Sequence, residues 1–144
     1  MALSEAERGY LRGQRLGRLA TVGPDGGAQA RPVGFRLNDD DTIDIGGPNN
    51  AASQKFRNAA ARPLVSFIVD DMTPDEPDAI APGWGRGVEI RGEAEVLMDE
   101  DPPLTPGFFS REVIRIHPRR VISWHIDPDG PRPQPAPNDP HGSA

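Results

Sequence analysis

Ser53, Gln54, Lys55 and Arg57 stand close together in a stretch, Asp44 to Asp70, that has no acidic residue between its ends. A hydroxyl, an ammonium and a guanidinium at the start of a helix suit a phosphate or a carboxylate. The free N–H groups and positive potential of a helix N-terminus add to such charges. Lys55 is the sole lysine in a chain with 16 basic residues, and the rest are arginines. An Arg-rich habit of composition explains the arginines and sets the compact, flexible ammonium apart from them. The competing reading is a solvated helix start with ordinary surface arginines. Arg31 and Arg36 extend the cationic set upstream. They are five residues apart, so strand alternation sends them to opposite faces unless Gly34 introduces a bulge.

A second candidate is Trp124-His125, with His117 upstream. Strand alternation puts Trp124 on one face and His125 on the other. An aromatic against a planar ligand, with His125 as proton donor, is the functional reading. A core tryptophan beside a surface histidine is the plainer one. Two histidines on separate strands are a poor metal site, and no metal is assigned. Cysteine is absent, which excludes thiolate metal sites, disulfides and a cysteine nucleophile. No G-x-S-x-G elbow, G-x-G-x-x-G turn or P-loop occurs.

The elements that must position these residues are short. Glycine (16) and proline (17) are frequent in the 144 residues, which argues for strands and turns over a helix bundle. Leu3 to Leu16 reads as a helix, capped by Ser4 with Glu7 three residues on. Gly17 to Val22 and Gln29 to Leu37 read as a hairpin about the turn Pro24 to Gly27. Thr42 to Gly46 follows as a half-buried strand, with Ile43 and Ile45 flanking Asp44. Ala51 to Ala61 reads as a helix ended by Arg62-Pro63. Leu64 to Val69 is an apolar run of strand length, and Asp70 to Gly87 a long loop. Val88 to Met98 alternates, with a bulge expected at Gly92. Phe108 to His117 and Val121 to Ile126 are two further strands, joined by Pro118-Arg119-Arg120.

These elements predict a mainly β (α+β) fold. It is a six- to seven-stranded antiparallel barrel or sandwich, with an N-terminal helix and a helix between strands three and four. Residues 1–128 read as one domain, and 129–144 as a disordered Pro-rich tail. The net charge of −6 argues against a nucleic-acid partner. No apolar run reaches the length of a membrane span, and no signal peptide opens the chain. A cytoplasmic protein is the expectation.

In order and spacing, LGRLATVGPDGGAQARPVGF, TIDIGGPNNAASQKFRNAAARPLVSFIVDD, GVEIRGEAEVL and FFSREVIRIHPRRVISWHID resemble the pyridoxamine 5'-phosphate oxidase-like split β-barrels. The resemblance covers Leu16 to Asp127. It is strongest to the actinobacterial branch that uses the deazaflavin coenzyme F-420. In the FMN-binding members, an R-x-V-x-x-K segment and a Ser-Arg-Lys segment contact the cofactor phosphate. The chain matches the first with Arg31, Pro32, Val33, Gly34, Phe35 and Arg36, and the second with Ser53, Gln54 and Lys55. Arg36 and Gln54 depart from the pattern and leave a site suited to a phosphate-bearing deazaflavin.

The resemblance further implies that Pro32 to Phe35, with Ile45, Gly46 and Gly47, line the ring. It implies a homodimer with cofactor sites at the interface, where Trp84 and Trp124 would cover the partner's site. The implied activity is hydride transfer to an electron-poor double bond of a small organic substrate. The alternatives are an FMN-dependent oxidoreductase of the same fold, or a non-catalytic flavin, haem or tetrapyrrole carrier.

Overall fold

The computed structural model describes residues 3–130. From residue 131 on, the expected Pro-rich tail lies outside the described residues. Helix α1 (Glu5–Arg12) is followed by β1 (Leu16–Val22), β2 (Ala28–Leu37) and β3 (Ile43–Ile45). A single 3-10 turn (Asn50–Ala52) leads into α2 (Gln54–Ala61). Strands β4 (Leu64–Met72), β5 (Gly85–Leu97) and β6 (Val113–Trp124) complete the chain.

The six strands close into an antiparallel barrel in the order β1-β2-β3-β6-β5-β4, with β1 returning to β4. Alternation selects what fills it. Leu19, Ile43, Ile45, Phe67, Val69, Val88, Ile90, Ile114 and Ile116 are buried in one cluster. Leu3 just before α1, Leu11 within it, and Phe56 and Ala59 from α2 belong to the same cluster. Each fully buried aliphatic side chain contributes about 1.5–3 kcal/mol, which fastens both short helices to the barrel.

Local chemistry sets the ends of α1. Ser4 accepts from Glu7 N while the Glu7 carboxylate accepts from Ser4 N, a reciprocal cap. Glu7 is itself buried and accepts from the Ser123 hydroxyl at 2.7 Å, which ties the helix to β6. The helix ends at Arg12, four residues short of the predicted Leu16, because the chain must turn to enter β1 there.

Two strand boundaries differ from expectation. The predicted loop from Asp70 to Gly87 is shorter, because β4 and β5 stay paired from Asp70↔Gly87 to Met72↔Gly85. Their charges are matched: Asp71 accepts from Arg86, and Asp70 pairs with Arg18. The two predicted final strands are one strand, β6. The β5–β6 register steps between Arg91↔Arg120 and Gly92↔Pro118, so Arg119 is the extra residue. The bulge expected at Gly92 is there, with its additional residue on the opposite strand. It lets Pro118, which has no N–H to donate, stay within a sheet.

Candidate functional site

The helix predicted from Ala51 begins instead at Gln54, and Ser53 is its N-cap. Ser53 Oγ donates to the Asn50 carbonyl at 2.6 Å and accepts from Phe56 N and from Lys55 Nζ, both at 3.3 Å. Lys55 is thereby folded back over the helix start. It is half-buried, and burial followed by the proximity of Arg31 lowers its pKa below the usual lysine value. Neither Lys55 nor Arg31 has an ion pair among the described residues. Thr21, Gln29, Arg31, Pro32, Ser53, Gln54 and Lys55 line a hollow of about 250 Å³.

Helix α2 is held in place by a buried amide. Asn58 Nδ2 donates to Thr21 Oγ1 at 3.0 Å and to Gln29 Oε1 at 2.9 Å. Its Oδ1 accepts from Gln54 Nε2 at 2.7 Å. Beside this contact, β2 presents an open edge. Within β2, only Phe35–Leu37 pair with β3, so β2 has just β1 as a strand neighbour along residues 28–33.

Two observations test whether the cleft suits an anionic ligand. A Cβ on Gly47 would lie 3.3 Å from Lys55 Nζ and 3.3 Å from Asn50 Oδ1, so the glycine leaves room between these groups. Asn50 Oδ1 is buried without a hydrogen-bond partner, although Asn50 Nδ2 donates to the Ile45 and Glu112 carbonyls. A half-buried ammonium without a counter-ion, beside an unused acceptor, fits a phosphate ester that also carries hydroxyl groups.

The other expected site residues are dispersed. The β1–β2 register has no shift, so Arg31 and Arg36 do take opposite faces. Arg36 lies away from the Lys55 hollow. Its guanidinium donates to Asp44, Asn38 and the carbonyls of Asp101 and Pro102. Arg57 is exposed and donates to the Ala52 carbonyl and Gln54 Oε1. Val33, Gly34, Gly46 and Gly47 are buried backbone positions. Cβ atoms on Gly34 and Gly46 would strike Leu104 at 2.6 Å and Pro103 at 2.7 Å, so the 103–109 segment roofs them. Trp124 packs against Gly87, and the His125 ring contacts the Gly85 carbonyl and Trp84. Neither lines the Lys55 hollow of its own chain.

Sequence reasoning missed Asn50, Asn58, Gln29 and Thr21. Asn58 sits among alanines in a helix, where asparagine is unfavourable, and that was a usable signal. It also missed Arg12 and Arg15. Two further hollows lie between them and the Lys55 hollow, with lining residues in common. Pro32 also lines one of about 360 Å³ with Gln14 and Arg15, and these two line another of about 510 Å³ under the roof. Among the described residues, no group of three or more metal-ligating side chains comes together. No helix there is long and apolar enough to cross a membrane.

A barrel with an open strand edge facing a cationic helix start has close counterparts. The chain is 39% identical over 130 residues to a 5a,11a-dehydrotetracycline/5a,11a-dehydrooxytetracycline reductase from Streptomyces rimosus, covering 90% of this chain and 87% of the reductase. A conserved hypothetical protein from Mycobacterium tuberculosis superposes with a TM-score of 0.63 at 28% identity, covering 87% of each chain. An F-420 reductase superposes with a TM-score of 0.60 at 28% identity, covering 83% of this chain and 98% of that one. The family "Pyridoxamine 5'-phosphate oxidase" matches residues 3–125, from just before α1 to one residue past β6. A match of that extent takes in α1, all six strands and the Lys55 cleft together: the chain belongs to the pyridoxamine 5'-phosphate oxidase family.

Proposed function

We propose that the protein is an oxidoreductase that uses coenzyme F-420, a deazaflavin, to reduce an electron-poor carbon–carbon double bond. The observation that carries this reading is Lys55, a half-buried ammonium beside Arg31 with no carboxylate to pair it. Ser53, Lys55 and Arg31 would hold the phosphate, and the open edge of β2 would offer backbone groups to the ring. Similarity to a dehydrotetracycline reductase supports a conjugated polycyclic ketone as the substrate class. Similarity to an F-420 reductase supports the deazaflavin.

When bound in its reduced form, the coenzyme supplies a hydride, and a proton from water completes addition across the double bond. The protein's own part is to bind, orient and exclude water. The roof residues Pro103, Leu104 and Phe109 provide the apolar cover. No side chain near Lys55 need act as a covalent catalyst, and His125 would serve only if the partner's copy brought it to the cleft.

A second copy of the chain also has a physical basis. Ala20, Val22, Ala28 and Leu64 form an apolar outer face, on which Leu64 is 61% exposed. Burying this face in a homodimer would remove it from water.

The test is a titration of the protein with coenzyme F-420 and, separately, with FMN, followed by quenching of tryptophan fluorescence. Saturable binding of the deazaflavin, weak binding of FMN, and a loss of about 1.5–3 kcal/mol in Lys55→Ala are expected. Preference for FMN would keep the fold and replace the coenzyme. Affinity unchanged in Lys55→Ala would overturn the site. Binding without any turnover would favour a carrier.

A further inference from the structure

We propose that the hollow between the end of α1 and the 103–105 roof is the substrate subsite. There Arg12 and Arg15 would hold the anionic enol of a flat, polycyclic carbonyl compound. The inference rests on the reductase reading and adds to it the place and charge of the substrate.

The hollow has a volume of about 510 Å³, within the usual range for small-molecule sites. Leu11, Phe35, Leu37, Pro103 and Leu104 form its apolar walls. Arg12, Gln14, Arg15, Arg36 and Thr105 supply its polar groups. The three guanidiniums differ in what they are free to do. Arg36 is occupied by Asp44 at 2.8 Å and by two carbonyls. Arg12 and Arg15 are exposed and have no ion pair among the described residues. Acidic groups on this side of the barrel are also engaged: Asp41, whose charge Arg12 feels, accepts from Arg8 at 2.8 Å and from Leu3 N. Asp70 pairs with Arg18, and Asp71 accepts from Arg86, Tyr10 and, at 3.4 Å, from Gln14. Two cations are therefore left over an apolar floor, in a chain whose net charge is −6.

Such a surface matches one kind of ligand: a flat, largely apolar ring system with a delocalised negative charge along one edge. An enol flanked by further carbonyl groups is about as acidic as a carboxylic acid and is an anion at neutral pH. Its planar pair of oxygens suits the fork of a guanidinium. Position agrees with charge. Gln14 and Arg15 line both this hollow and the next, and Pro32 links that one to the Lys55 hollow. A phosphate held at Lys55 would leave the hollow at the α1 end of this row for the substrate.

Tetracycline, which carries such an acidic enol and is itself fluorescent, is the probe. Its equilibrium binding to the full chain is measured for wild type, Arg12→Gln, Arg15→Gln and the double variant. Each single variant should weaken binding about tenfold, as for loss of a charge-assisted hydrogen bond, and the double variant more. Coenzyme affinity should stay within about twofold in all three, since neither arginine lines the hollow that holds Lys55. A neutral polycyclic ketone should bind wild type and double variant alike. Failure of wild type to bind tetracycline, equal affinity in wild type and double variant, or loss of coenzyme affinity in the double variant would each overturn the subsite. Arginine-dependent tetracycline binding in a protein that binds no coenzyme would uphold the subsite and remove the reductase reading.

Discussion

The Arg36 guanidinium donates to the fully buried carboxylate of Asp44 at 2.8 Å, across the β2–β3 ladder. Arg115 on β6 grips the same carboxylate from the other side at 2.8 and 2.9 Å. Arg36 also holds the Asp101 and Pro102 carbonyls, both at 3.1 Å. One buried charge thus organises three strands and anchors the start of the roof. Asp44→Asn keeps the shape and removes the charge, leaving two guanidiniums around a neutral amide. Losing one partner of a buried pair costs about 3 kcal/mol, or roughly 10 °C in Tm for a domain of this size. Thermal melting and limited proteolysis within residues 99–110 are the measurements. An unchanged Tm with an equally resistant roof would refute the clamp.

The same carboxylate gives stability an acid limb. Burial alone would raise the Asp44 pKa, but hydrogen bonds from Arg115 and Arg36 outweigh it and hold the pKa below the usual value. The unfolded chain therefore binds its proton first as pH falls. Stability from Asp44 is complete above the unfolded carboxylate pKa and is lost as pH drops through the lower folded value. Denaturant midpoints measured through the acid range should fall in wild type. They should fall less steeply in Asp44→Asn, which has no proton to gain at that site.

With the coenzyme phosphate held at Lys55 as proposed, this group would give coenzyme binding a limb of opposite sign. Burial and Arg31 hold its pKa below that of an ordinary lysine in the free protein. A bound phosphate favours the ammonium and raises that pKa. Affinity is then full below the free-protein pKa and declines as pH rises towards the bound value, by at most about tenfold per pH unit. Lys55→Arg keeps its charge throughout and should flatten this decline. Coenzyme titrations at stepped alkaline pH decide it. A wild-type affinity that falls no faster than that of Lys55→Arg would exclude Lys55 as the phosphate group.

Gly92 shows what was readable in the sequence and what was not. A glycine within the alternating run Val88 to Met98 signalled a bulge, and the register does break there. That the extra residue is Arg119, on the other strand, had no local sign. Alternation likewise revealed the β5 faces, and the Ser4–Glu7 spacing revealed the α1 cap. Alternation misled at β3, expected half-buried: Asp44 is as buried as Ile43 and Ile45, because Arg36 and Arg115 cover and neutralise it. The role of Arg36 was hidden because its partners include carbonyls 65 and 66 residues away. Pairings at that range leave no periodicity to read. That Lys55 lacks an ion pair among the described residues was legible for a different reason: its rarity and the lack of acids near it in sequence are properties of composition. Arg12 and Arg15 resembled any surface arginine until the roof was seen to close a hollow over them.

A Cβ on Gly92 would lie 2.3 Å from the His117 carbonyl oxygen, a backbone atom that cannot swing aside. Gly92→Ala should therefore cost about 2 kcal/mol, as overpacked positions do. Gly9, in the exposed part of α1, has nothing within 4 Å of the same construction. Gly9→Ala should instead stabilise by about 0.5–1 kcal/mol through helix propensity. Denaturant unfolding of the pair measures both signs in one host. A Gly92→Ala protein as stable as wild type would remove the close approach of β5 and β6.

Gly34 offers the same test for the roof, with a different outcome because its obstacle can move. An added Cβ would lie 2.6 Å from Leu104 Cδ1 and 3.3 Å from the Phe109 ring. Leu104 Cδ1 is the far end of a flexible side chain, and Gly34 remains paired with Leu16. Gly34→Ala should then destabilise by about 1 kcal/mol and loosen the roof without opening the barrel. Leu104→Ala removes the obstacle, so the double variant should be more stable than the two single changes predict. The expected coupling is about 0.5–1 kcal/mol, the range for residues in contact. A double-mutant cycle on unfolding free energies reads that number directly. Strict additivity would mean that Leu104 does not rest on Gly34, and that the cover over this stretch of β2 comes from Phe109 alone.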